Sequence, residues 1–219
     1  MPRVARVVVV DCPHHVTQRR NRRSTIFKDE EDRKVYPTIL KKSVETHELD
    51  IWAYCLMTNH VHFVAVPRFP ISLSGTFRDA HAVYAQRFNS EWGHSGYLGR
   101  FFSCPMDDLY MWSTVRYVER NPVRAGLVER AEDYRWSSTA AHCGLRDDLL
   151  SEGFPPDGVI PDWSRWLREE DDNQIVKTIR KHTHTGLPCG GTQFVDHLEK
   201  MLGRSLRPKK KGRKPKSRN

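Results

Sequence analysis

The chain opens on a β-branched run, Val4 to Val10, that reads as a strand; after Cys12-Pro13, the stretch His14 to Gln18 continues it or pairs nearby. Arg19 to Arg23 is a basic turn around Asn21. Asp29 to His47 is helical in composition, with Pro37 expected to kink or divide the helix. Leu49 to Met57 predicts a second strand, Thr58-Asn59 a tight turn, and His60 to Val66 a third strand antiparallel to the second. Ile71 to Trp92 becomes helical after a Ser- and Gly-containing start, Gly93 to Gly99 is a glycine-rich loop, and Phe101 to Met106 is a last short strand. Asp107-Asp108 caps a helix running to about Arg120, which Pro122 ends. The order β-α-β-β-α-β followed by a further helix is that of the split βαβ arrangement. The predicted class is α+β: a ferredoxin-like antiparallel sheet with helices on one face, plus a small C-terminal helical region and a basic tail.

The pattern changes after Tyr134-Arg-Trp-Ser-Ser138. Phe154 to Trp163 contains three prolines and reads as a linker. Trp163 to His182 predicts one helix, Thr185 to Gly191 a glycine turn, and Thr192 to Leu202 an amphipathic helix, with Phe194, Leu198, Met201 and Leu202 on one face and Gly203 as its stop. Either a small helix-turn-helix module or a helical hairpin packed on the core fits these two helices. The organisation read from the sequence is thus a main domain over 1–140, a linker over 141–162, a helical region over 163–203, an accessory DNA-binding region if the helix-turn-helix reading holds, and a disordered basic tail over 204–219.

Charge sharpens this division. The formal net charge is +9. Nine Lys or Arg and no Asp or Glu lie between Gly203 and Asn219, so the rest of the chain is formally neutral. A tail of this kind points to a polyanion, most simply nucleic acid. Its Gly-Arg213-Lys214-Pro run suits a narrow minor groove, and its bland alternative is a solvated, solubilising tail. Five scattered cysteines, an odd number, argue against a disulfide framework or a zinc ribbon and fit a reducing cytoplasm. The first apolar run is too short for a signal peptide, and no segment reaches the roughly 18 apolar residues that span a bilayer. The expectation is a soluble, cytoplasmic protein with no membrane partner.

The candidate chemistry lies at two places. His60 and His62 flank Val61 on a predicted strand, where residues i and i+2 project from one face and two imidazoles can reach one metal ion. Two strand-end histidines bonded to backbone would look the same. Tyr117 and Asn121 lie four apart on the predicted helix, on a polar side shared with Tyr110 and Thr114, while Trp112 and Val115 point toward the core. A tyrosine is a weak nucleophile unless a metal activates its target or a base takes its proton. Singly, each residue fits a structural role as well.

Together they match a family. Thr58-Asn-His-Val-His-Phe-Val-Ala-Val66 and Arg116-Tyr-Val-Glu-Arg-Asn-Pro-Val-Arg-Ala-Gly-Leu-Val128, with His15-Val-Thr-Gln-Arg-Arg-Asn-Arg-Arg-Ser24 and Tyr134 to Ser138, closely resemble the REP-associated tyrosine transposases, a branch of the HUH single-strand DNA transposases with one catalytic tyrosine. The resemblance covers roughly residues 4 to 140. It implies that His60, His62 and Asn121 are metal ligands for Mg²⁺ or Mn²⁺, although imidazole ligands also suit Zn or Ni. It implies that Tyr117 is the nucleophile, leaving a 5′-phosphotyrosine and a free 3′-OH. It implies single-stranded or hairpin DNA as partner, a monomer or homodimer, and cleavage beside short palindromic hairpins whose phosphates Arg19, Arg20, Arg22 and Arg23 would grip. Tyr97-Leu-Gly-Arg-Phe-Phe102 departs from the Trp-Gln pair of many relatives, which puts contacts near that loop in doubt. A domesticated, non-catalytic DNA-binding regulator and an unrelated hydrolase that activates water are the competing readings.

Overall fold

The computed structural model describes residues 6–19, 25–93, 100–151, 154 and 159–208. Four strands, β1 (His14–Arg19), β2 (Leu49–Leu56), β3 (His60–Pro67) and β4 (Phe102–Pro105), form one sheet in the order β2-β3-β1-β4. Every pairing is antiparallel. The chain reaches this order by two crossover helices, α1 (Glu30–Thr46) and α2 (Ser72–Trp92). This is the expected α+β, ferredoxin-like arrangement.

Both faces of the sheet are covered. The inward side chains Val16, Val61, Phe63 and Ala65 pack with Tyr36 and Leu40 of α1 and with Phe77 and Tyr84 of α2. The opposite face, expected to be free of helices, carries Ala53, Cys55, Val64 and Cys104 under α3 (Asp108–Glu119), α6 (Trp163–Arg168) and α7 (Asn173–Thr185). The difference follows from the strands themselves: β3 is buried at seven of its eight positions, so neither of its faces is left to water.

Local chemistry explains most element ends. The Asp29 side chain accepts from the Asp32 amide at 2.8 Å, while the Asp32 side chain accepts from the Lys28 amide at 2.8 Å, a reciprocal cap on α1. Pro37 does not divide that helix, which runs unbroken from Glu30 to Thr46. It removes a single donor, and burial of Tyr36 and Leu40 on the core face offsets that loss. Val7 and Val9 are not in a strand; they are buried against Leu198 and Leu206 beside α8 (Thr192–Leu202), so the β-branched alternation encodes burial rather than ladder pairing. Both edges of β1 are already taken, by β3 and β4.

The predicted helix from Trp163 to His182 is two helices. The run Glu169-Glu-Asp-Asp172 breaks it, because the Asp172 side chain caps α7 by accepting from the Gln174 amide at 2.7 Å, while Asp171 is drawn to Arg116, Arg120 and Arg124. The turn between α7 and α8 is tied to α3: the Asp107 carboxylate accepts from Tyr110 N at 3.0 Å as the helix cap and from Gly191 N at 2.8 Å. A Cβ on Gly190 would come within 2.4 Å of Phe194 and 2.8 Å of Asp107, so this close approach requires glycine. The hairpin α7–α8 therefore packs on the sheet and on α3.

Candidate active site

Strand alternation builds one half of the site. In the β1–β3 register His15 faces Val64, Thr17 faces His62 and Arg19 faces His60, so all of these side chains share one face. His60 and His62 stand with ring centroids 5.0 Å apart. The Asn59 side-chain oxygen accepts from His60 Nδ1 at 2.6 Å, leaving the lone pair of that imidazole on Nε2.

A longer chain of hydrogen bonds assigns the tautomer of His62. The Thr183 hydroxyl donates to the Ile179 carbonyl at 2.8 Å. Its oxygen accepts from His15 Nδ1 at 2.6 Å. His15 Nε2 then holds a lone pair and accepts from His62 Nδ1 at 2.9 Å. The free lone pair of His62 is thus on Nε2, as it is in His60. Burial holds these rings neutral: it pushes His15 down to about 3 and His60 down to about 4, the latter with help from the charge of Arg19. Burial, with the neighbouring His15 and His60, takes His62 well below the ordinary range.

The other half comes from α3. Tyr117 is buried, only 5% exposed, among Val115, Val118 and the sheet, and so does not occupy a wet polar face as expected. Its ring lies 5.7 Å from His62 and 5.8 Å from His15, edge-on to both. The helix ends at Glu119, close to the expected Arg120, but Pro122 starts a further helical turn rather than a loop. Arg120 caps α3, and Asn121-Pro122 opens the separate short helix α4 (Asn121–Arg124), where proline at the first turn needs no amide partner. Asn121 still reaches back, its amide nitrogen donating to the Tyr117 carbonyl at 3.4 Å, which leaves its side-chain oxygen available.

His15, Thr17, Arg19, His60, His62, Tyr117, Asn121, Arg180 and Thr183 line one cleft of about 460 Å³, with Phe102 and His184 stacked at a centroid distance of 5.3 Å. Its chemistry fits a divalent ion: two neutral imidazoles with free Nε2 atoms and one amide oxygen. Among the described residues no group of three or more His, Cys, Asp or Glu gathers as ligands, and the Asn121 amide shares the cleft with the two imidazoles. Of the basic residues expected to contact DNA, Arg19 is exposed at the cleft, whereas Arg20, Arg22, Arg23, Arg213 and Lys214 lie outside the described residues.

Sequence reasoning missed four residues here. His15 was legible in principle from the His15-Thr17-Arg19 alternation. Arg124, whose guanidinium lies 4.2 Å over the Tyr117 ring and donates to the Tyr117 carbonyl, stands within the Asn-Pro-Val-Arg run. Arg180 and Thr183 carry no local signal, because only the docking of α7 brings them to the cleft.

Helix α3 is anchored from behind. Buried Glu119 accepts from Ser138 Oγ at 2.5 Å and Trp163 Nε1 at 2.7 Å, and lies 2.6 Å from His142 Nδ1. Ser138 also belongs to a segment laid along β2, with Ser138 N donating to the Tyr54 carbonyl and Leu56 N to the Trp136 carbonyl. The Tyr134–Ser138 motif thus locks the tyrosine-bearing helix to the sheet.

Residues 8–121, just over half of the chain, match the model of a family described as transposase, IS200-like. The chain belongs to the IS200-like transposase family. The family's class of activity is DNA transposition, by cleavage and strand transfer. The transposase also shares its fold with a REP-associated tyrosine transposase solved bound to a REP hairpin, at 20% identity and a TM-score of 0.54, over 68% of this chain and 90% of that one. A solved chain from Deinococcus radiodurans R1 is similar at 18% identity and a TM-score of 0.37, over 54% of this chain and 97% of that one. A comparison with curated proteins returned no match. No described helix is long and apolar enough to cross a membrane.

Proposed function

We propose that this transposase nicks and rejoins single-stranded DNA beside short palindromic hairpins, with Tyr117 as nucleophile and His60, His62 and Asn121 as ligands of Mg²⁺ or Mn²⁺. The observation that carries the reading is the gathering in one cleft of a buried tyrosine, edge-on to His62, and two neutral histidines, His60 and His62, whose Nε2 lone pairs are free. A gathering of this kind is more than a DNA-binding surface needs.

The chain's own residues perform most of the work. β3 and α3 fix the reacting groups on rigid elements, so that attack starts from an ordered geometry. His15 and Asn59 hold the ligand imidazoles in one tautomer and orientation. A bound divalent ion supplies Lewis acidity, drawing charge from a phosphate oxygen. Tyr117 forms the bond to phosphorus and the 3′-oxygen leaves, giving a 5′-phosphotyrosine and a 3′-OH. The same 3′-OH, or another, reverses the step without ATP. Arg19 at the cleft contributes positive charge toward the DNA backbone.

The test incubates the full chain and its Tyr117→Phe variant with Mn²⁺ and labelled hairpins copied from the DNA bordering the gene. Wild type should yield a covalent protein–DNA adduct and the variant none, with binding retained. Cleavage without an adduct, unaffected by the substitution, would mean a hydrolase that uses water.

A further inference from the structure

The family match stops at Asn121, yet α7, more than fifty residues further on, reaches the cleft. Its Arg180 Nε donates to the Tyr117 hydroxyl oxygen at 3.3 Å, and the guanidinium carbon lies 5.5 Å from the centre of the tyrosine ring. The arginines of α3 and α4 next to it are taken up by carboxylates. Arg116, Arg120 and Arg124 all pair with Asp171, and Arg116 also with Glu169. Among the described residues no carboxylate pairs with Arg180, although it is exposed at the cleft. A guanidinium aimed at a hydroxyl oxygen, with its remaining donors unneutralised, is the arrangement that receives a phosphate in planar, charge-assisted contact.

We propose that Arg180 is a further catalytic residue, which orients the Tyr117 hydroxyl and stabilises the negative charge that builds on the scissile phosphodiester. The inference rests on the reading of Tyr117 as nucleophile. In the step it assists, the Tyr117 oxygen–phosphorus bond forms and the phosphorus–O3′ bond breaks. The phenol proton leaves to solvent, and the departing 3′-oxygen takes one from solvent. No electrons are transferred to or from any other group. Arg180 stays protonated throughout and acts as donor and charge, never as base. Donors set in advance toward developing charge act mainly on the rate of the bond-making step rather than on binding.

The experiment measures single-turnover adduct formation by the full chain with Mn²⁺ and a labelled hairpin with single-stranded flanks, at protein concentrations that saturate the DNA. Binding of the same hairpin is followed by anisotropy. Arg180→Met should lower the saturated rate about 100-fold, as loss of one such donor does, while the dissociation constant changes less than about fivefold. Arg180→Lys, which keeps the charge without the Nε donor, should recover part of the rate. The side chain is exposed, so both variants should unfold at the wild-type temperature. An unchanged saturated rate in Arg180→Met, or a loss that vanishes at saturation, overturns the proposal while leaving Tyr117 in place. Absence of any adduct with wild type overturns the nucleophile reading and this inference together.

Discussion

Nδ1 of His62 donates to Nε2 of His15 across 2.9 Å, and this contact decides which nitrogen of His62 keeps a lone pair. The decision originates on α7, where the Thr183 oxygen accepts from the far side of the His15 ring. Outer partners of this sort raise metal affinity by fixing a ligand's tautomer. Thr183→Val should therefore weaken Mn²⁺ binding about 10–100-fold, and Thr183→Ser, which keeps the acceptor, should restore it. Calorimetric or paramagnetic-resonance titration with Mn²⁺ measures this directly. Equal affinities in all three proteins would remove the relay from the metal site.

A second prediction concerns acid. His14 is fully buried, its Nδ1 donating to the Cys12 carbonyl at 2.7 Å and its Nε2 accepting from Val9 N at 3.3 Å. A second ring proton would oppose the Val9 amide. Burial pushes His14 down to about 4 and His15 down to about 3. An unfolded histidine titrates near 6.5, so below that pH the unfolded chain takes up protons that the folded chain refuses. Stability is full above about pH 6.5 and falls as pH drops toward 4, by about 2 kcal/mol per histidine at pH 4.5. Urea midpoints at pH 7 and 4.5 test this, and His14→Gln should shrink the difference. A midpoint flat across the window would contradict it.

Arg116, Arg120 and Arg124 converge on one carboxylate, that of Asp171, with Arg124 at 2.8 Å and Arg120 at 3.2 Å. Asp171→Asn leaves half-buried Arg120 and Arg124 without their carboxylate, while Arg116 keeps Glu169, and loosens Arg124 over the Tyr117 ring. The expected loss is about 2 kcal/mol, in the range of hydrogen bonds to charged groups, together with slower adduct formation. Chemical denaturation reads the first and the gel assay the second; a variant as stable as wild type would show that the cluster is only a solvated network.

Glu119→Ala removes the acceptor for Ser138 and Trp163 behind the tyrosine-bearing helix. Ser138 Oγ can still turn to the Tyr54 carbonyl at 3.4 Å, but the buried Trp163 Nε1 is left without its acceptor, at a cost of about 1–3 kcal/mol. The variant should melt well below wild type, and a loss under about 1 kcal/mol would indicate that other groups take over.

The strands, the two crossover helices and the Asp107 cap were legible because period-two and helical alternation, turn residues and capping side chains act locally. His60, His62, Tyr117 and Asn121 were legible as a set because two motifs carry them. What was not legible depends on docking. Val4 to Val10 is a β-branched run, yet Val7 and Val9 are buried beside α8 without pairing. The helix from Trp163 was read through Glu169 to Asp172 because nothing in that segment announces three arginines waiting on α3 and α4. Tyr117 was assigned to a polar face because α7, which closes over it, had no visible partner. Helices expected on one face occupy two for the same reason: β3 is apolar on both sides, but which distant segment covers the second side is settled only in three dimensions.

The tie between Asp107 and Gly191 joins the cap of the tyrosine helix to the turn that follows α7. In genetic terms, the reading frame cannot be shortened to the span that carries the family motifs. A copy interrupted between codons 121 and 191 would encode the two histidines and the tyrosine yet lose the far half of their setting, so inheritance of activity depends on the 3′ part of the gene remaining intact.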